Sequence, residues 1–147
     1  MLYVLDSSAL VKRYHREPGT DLVDQLFEDP ANLFLISVLS LSEMTRVLER
    51  LQRQGVYSLG DIRMTQQRLY RDCQSGRIGL VEVTRAIALH ANELILQFHL
   101  SAADAVMLAT ALHVQSHQPV FVTADTRSGL LQAAQACHLA TVNPIGL

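Results

Sequence analysis

The sequence has no tryptophan, one lysine, two cysteines, four prolines and seven glycines, and each shortage removes a class of protein. So little proline and glycine excludes collagen-like and low-complexity chains. A hydrophobic share of 49% against 18% charged residues excludes an intrinsically disordered segment. Cys73 and Cys137 form no CxxC pair, so they read as reduced thiols of a cytoplasmic protein rather than as a disulfide framework. The most apolar stretch, 87–114, is interrupted by His90, Glu93, His99, Asp104 and His113, and the run before Asp6 is too short for a secretory signal. A soluble, cytoplasmic chain without a membrane span is therefore expected, and its 147 residues fit one domain over 1–147.

What the chain does have is arginine. Of its 12 basic residues all but Lys12 are Arg. The net charge of −2 is unevenly spread: −4 over 1–45, +4 over 46–85 and −2 over 86–147. The planar guanidinium fork suits phosphate, so the middle third is the place to look for a polyanion contact. The ordinary alternative is a solvated helix face.

Short β-like runs alternate with longer helical ones. Strands are predicted at Leu2 to Leu5, Leu33 to Ile36, Gly79 to Val83, Val120 to Thr123 and Ala140 to Val142. Helices are predicted at Ser8 to Arg16, Thr20 to Glu28, Leu41 to near Gly55, Leu59 to Cys73, Thr84 to Phe98, Ala102 to Gln115 and Arg127 to Cys137. This order implies an α/β three-layer sandwich with a central, mainly parallel five-stranded sheet, whose chemistry belongs at the carboxyl ends of the strands.

Four acids fall at predicted helix starts. Asp6 ends the first strand, Glu43 follows Ser40 in an S-x-x-E box, Asp104 follows Ser101 in an S-x-x-D box, and Asp125 stands before the last helix. Each is explained as a cap when taken alone. Taken together they converge on one rim, where like charges repel unless a cation neutralises them. Hard oxygen donors without His or Cys partners suit Mg²⁺ or Mn²⁺. Independent caps and a metal-holding cluster both fit the spacing. Thr123 precedes Asp125 by two and on a strand would face the same way, while Ser7 and Ser8 offer hydroxyls to a carboxylate or to a turn.

Other signatures fail. Gly55 and Gly60 have P-loop spacing, but Asp61 and Ile62 stand where Lys and Ser/Thr are required. His113 and His117 lack the intervening Glu of a zinc protease helix, and no G-x-S-x-G elbow is present.

The motifs resemble those of the PIN-domain ribonucleases, and within them the VapC toxins of bacterial toxin–antitoxin pairs. Tyr3-Val4-Leu5-Asp6-Ser7-Ser8-Ala9-Leu10-Val11-Lys12 with Glu17-Pro18-Gly19 looks like the first family motif. Ser42-Glu43 fits the second, Leu100-Ser101-Ala102-Ala103-Asp104-Ala105 with Ala109-Thr110-Ala111 the third, and Val122-Thr123-Ala124-Asp125 the fourth, and the likeness reaches Leu139 to Pro144. The resemblance implies a PIN-like fold and a metal-dependent endoribonuclease. Asp6, Glu43, Asp104 and Asp125 would hold Mg²⁺ or Mn²⁺, with Ser7 or Thr123 in support. Where some relatives carry a further acid, this chain has Arg127, which leaves one-metal and two-metal sites both open. It also implies an RNA substrate, a homodimer and a VapB-like antitoxin. The charge pattern itself offers two rows, Arg46, Arg50 and Arg53 on one helix and Arg63, Arg68 and Arg71 on the next, one or both of which would guide RNA phosphates, with a solvated face as the alternative. The apolar stripes of the Leu41–Leu51 and Leu59–Cys73 helices would wall an antitoxin groove, or else belong to the core or a dimer interface. A non-catalytic RNA- or protein-binding module on the same fold, and a DNA-directed nuclease, are the competing readings.

Overall fold

β-Branched and leucine-rich segments form five short strands: β1 (Leu2–Leu5), β2 (Leu33–Ser37), β3 (Ile78–Val81), β4 (Val120–Val122) and β5 (Ala140–Val142). They are seen in a computed structural model that describes residues 1–146. The sheet order is β3-β2-β1-β4-β5, and every neighbouring pair is parallel. The sheet is thus wholly parallel where the sequence implied mainly parallel.

Each parallel step needs a crossover, and the helices α1 (Ser7–Tyr14), α2 (Thr20–Glu28), α3 (Leu39–Arg53), α4 (Leu59–Gln74), α5 (Arg85–Phe98), α6 (Ala102–His113) and α7 (Leu130–Ala136) supply them. Side-chain alternation along the strands divides the interior into two cores. Tyr3 and Leu5 of β1, with Phe34 and Ile36 of β2, pack against Leu10, Val23, Met44 and Leu69 from α1 to α4. Val4 and Phe121 face the other way, against Ile87, Leu94, Leu108, Leu130 and Ala134 of α5 to α7. The result is the three-layer α/β sandwich.

Two helix starts differ from the sequence expectation by two residues or more, and each has a local cause. α3 begins at Leu39 because the Ser37 hydroxyl accepts the Leu39 N–H at 3.2 Å. Ser40 is then carried into the helix interior, where its hydroxyl donates to Met107 Sδ at 3.5 Å, so Ser40 and Glu43 form no capping box. α7 begins at Leu130, not Arg127. Asp125 Oδ1 accepts the N–H groups of Arg127 and Ser128 at 3.0 Å each, and Gly129 at φ 85° makes the left-handed turn that precedes the helix. The other two caps are as expected: Asp6 Oδ2 accepts the Ser8 N–H at 3.4 Å, and the Ser101 hydroxyl accepts the Asp104 N–H at 3.2 Å.

Among the described residues no single helix is long and apolar enough to cross a membrane; α5 and α6 meet the criterion only as a pair bent by 116°.

Candidate active site

The strand order reverses between β1 and β4, since β2 and β3 lie on one side of β1 and β4 and β5 on the other. In open parallel sheets the crevice beyond the carboxyl ends at such a point is where ligands bind. Asp6 stands directly beyond β1 there, and its N–H extends the ladder to Val122 O at 2.9 Å. Asp125 follows β4. Glu43 arrives from α3, the helix after β2, and Asp104 from the first turn of α6, the helix that leads into β4.

Two hydroxyls build the centre. Ser8 Oγ donates to Asp6 Oδ2 at 2.7 Å and accepts the Ala124 N–H at 2.9 Å. Thr123 Oγ1 donates to the same Oδ2 at 3.0 Å and accepts the Asp125 N–H at 3.1 Å. Each therefore ties the buried carboxylate to the loop after β4. Ser7 Oγ donates to Glu43 Oε1 at 2.7 Å and so links α1 to α3. Thr123 is fully buried and serves Asp6; because β4 ends at Val122, it does not share a strand face with Asp125.

The electrostatics divide the acids. Burial raises the pKa of Asp6, and the charge on Asp104 adds to this, against the opposing pull of the Ser8 and Thr123 hydroxyls. Glu43 is raised by burial and by Asp6 and Asp104. Asp104 is raised by burial and by Asp125, with the Ser128 and Ser101 hydroxyls opposing. For Asp125 burial pushes upward, but hydrogen bonds from Ser128 and Arg127 and the Arg127 charge outweigh it, and the pKa falls. Asp6, Glu43 and Asp104 thus lie within electrostatic reach of one another, and Asp125 within reach of Asp104. None takes part in an ion pair among the described residues.

The donor set is all-oxygen and negatively charged. Among the described residues no three His, Cys, Asp or Glu side chains close into a group that holds an ion unaided. Carboxylate oxygens without Cys or His are the donor chemistry of hard divalent cations.

Of the expected residues, the structure gathers Asp6, Glu43, Asp104 and Asp125 at one edge with Ser7 and Thr123 between them. Arg46, Arg50 and Arg53 are exposed on α3 and lie outside the cluster. Ser128 was not anticipated, although the D-x-x-S spacing after β4 is a turn signal.

Of the two helices expected to wall a partner groove, α4 borders a cavity and α3 turns apolar residues inward. Leu41, Val47 and Leu51 of α3 pack onto the core. The cavity, of about 320 Å³, lies between α4 and the end of α1, lined by Tyr14, Val56, Tyr57, Met64 and Arg68.

The sequence matches the PIN domain profile over residues 3–135, and no curated protein matches it. Among solved structures it is similar to a toxin–antitoxin complex from Klebsiella pneumoniae, with a TM-score of 0.64 at 18% identity over 99% of each chain. It is also similar to VapBC-1 from nontypeable Haemophilus influenzae, with a TM-score of 0.65 at 16% identity over 99% of this chain and 100% of that one. The structure of FitAB bound to IR36 DNA gives a TM-score of 0.64 at 22% identity over 100% and 97%. The parallel β3-β2-β1-β4-β5 sheet and the profile match over most of the sequence agree, and the chain belongs to the PIN domain family.

Proposed function

We propose that residues 1–147 form a single PIN-like domain acting as a divalent-metal-dependent endoribonuclease, the toxin of a toxin–antitoxin pair. The observation that carries this reading is the electrostatic arrangement at the switch point. Burial raises the pKa values of Asp6, Glu43 and Asp104, neighbouring acids add to each (Asp104 to Asp6, Asp6 and Asp104 to Glu43, Asp125 to Asp104), and no ion pair among the described residues neutralises them. A purely structural role would not gather unneutralised acids; a cation that bridges them to a phosphodiester gives them a use.

Asp6, Glu43, Asp104 and Asp125 would hold Mg²⁺ or Mn²⁺, which supplies Lewis-acid charge for displacement at phosphorus. Ser8 and Thr123 fix the Asp6 carboxylate, and Ser7 fixes Glu43, so the charges are oriented before substrate arrives. With a raised pKa, Glu43 is poised to take a proton from an attacking water.

The similar solved structures include toxin–antitoxin complexes, which supports a VapB-like antitoxin as partner. The α1–α4 cavity, with Val56, Leu59 and Met64 exposed around it, suits an apolar antitoxin segment, while an Arg or Lys reaching the acids would silence them. A homodimer acting in the cytoplasm completes the reading.

The test is cleavage of cellular RNA by the purified chain. Activity should vanish in excess chelator and return with Mg²⁺ or Mn²⁺ but without any need for Zn²⁺. Cleavage that persists in chelator overturns the mechanism, and chelator-insensitive RNA binding without cleavage favours the non-catalytic module.

A further inference from the structure

Arginines follow the acids on two elements: three on α3 after Glu43, and one in the turn after Asp125. On α3, Glu43, Arg46, Arg50 and Arg53 fall within an arc of about 80° at 3.6 residues per turn, and the three arginines are exposed. Of these only Arg53 is ion-paired, with Glu49 at 2.8 Å. On the other side of β1, beyond β4, stands Arg127, the only lysine or arginine in 86–147. Its N–H donates to Asp125 Oδ1 at 3.0 Å, as does that of Ser128, so its backbone is pinned against the cluster. Its side chain is exposed and belongs to no ion pair among the described residues.

The Arg127 charge helps to keep Asp125 ionised without closing a salt bridge to it. Arg127 instead keeps its forked donors accessible beside a cluster that repels a polyanion. We propose that Arg127 binds a backbone phosphate of the substrate strand on the Asp125 side of the site, so that the strand crosses the acids between Arg127 and the α3 arginines. This rests on the nuclease reading. Phosphates held on both sides fix the position of the one between them, which is the positional requirement for in-line displacement.

The test uses the full chain carrying Asp6→Asn, so that strands stay intact, and a single-stranded RNA oligonucleotide followed by fluorescence anisotropy across a salt series. Relative to that parent, adding Arg127→Ala should lower the slope of log affinity against log salt by about 0.7, which is about fivefold in affinity at 0.1 M salt. Arg127→Lys should keep the slope. Oligonucleotides with one uncharged methylphosphonate linkage, moved along the strand, should reveal a single linkage whose neutralisation weakens the parent but not the Arg127→Ala chain. Parent binding with an unchanged slope in Arg127→Ala overturns the assignment alone. A parent that binds no RNA overturns the nuclease reading and the assignment with it.

Discussion

The two halves of the acid cluster are built in opposite ways. Asp6 is only 4% exposed, and hydroxyls from Ser8 and Thr123 reach it from α1 and from beyond β4, while Glu43 is held by Ser7 from another helix. This half exists only when the tertiary structure is complete. Asp125 is held by N–H groups two and three residues further on, a turn that residues 125–128 make by themselves. Burial therefore dominates in the first half and holds ionisation down, whereas local donors dominate in the second and favour the carboxylate. A site with both kinds of acid keeps a fixed anion beside groups that hold a proton more readily than an ordinary carboxylate.

The largest expected effect comes from breaking the buried half. Asp6→Asn should reduce RNA cleavage by more than about 100-fold, beyond what loss of a supporting group costs. In metal-free buffer near neutral pH it should also raise the melting temperature, because the folded-state pKa of Asp6 lies above its value of 3.8. The stability linked to such a group is fully present below 3.8 and is lost as pH rises through the folded pKa, so the gain from Asn disappears on acidification. Asp125→Asn should behave oppositely. A lowered folded pKa contributes stability above 3.8 that is lost as pH falls through the folded value, so the variant should melt lower at neutral pH and converge with wild type in acid. Calorimetry of both variants from pH 3 to 8 distinguishes the halves, and shifts of the same sign would break the comparison.

Next comes the link between the halves. Thr123→Val keeps the shape of the side chain but removes the donor to Asp6 and the acceptor for the Asp125 N–H. Cleavage should fall by about 10- to 100-fold and stability by about 1–3 kcal/mol, whereas Thr123→Ser should restore most of both. Unchanged cleavage in the Val variant, measured beside its melting curve, would mean that Asp6 is oriented without it.

How much of this was legible in the sequence follows the same division. Five strands, the sandwich and the caps at Asp6 and Ser101 were readable, because alternation and cap chemistry are local. The box at Ser40 was misleading. Its spacing is right, but Ser40, Met44 and Leu48 share the buried face of α3, and burial drew the helix start back to Leu39. The partner of Thr123 was hidden for another reason: a hydrogen bond between residues 117 positions apart leaves no mark on spacing. The late start of α7 was visible only in part, since Gly129 signals a turn but the competition of Asp125 for two N–H groups depends on where β4 ends.

The smallest effect concerns the arginine rows, and it sharpens the contrast between the site and its surroundings. Two helices carry rows of arginines, yet the rows stand differently. Arg46 and Arg50 share the arc of Glu43 on α3 and belong to no ion pair among the described residues. On α4, Arg68 stacks over Tyr14 at 5.5 Å and donates to the Tyr14 carbonyl at 3.4 Å, and Arg63 hydrogen-bonds Gln66 at 3.3 Å. The α4 row is therefore partly committed to holding α4 against α1, and it borders the α1–α4 cavity rather than the acids. Replacing Arg46 and Arg50 together by Gln should lower the salt slope of RNA binding by about 1.4, two phosphate contacts, and leave the melting temperature nearly unchanged. Arg63→Gln with Arg71→Gln should leave the slope as it was. Equal slopes in both pairs would make the basic middle third a diffuse surface charge, and the path of the strand would then have to be sought away from α3.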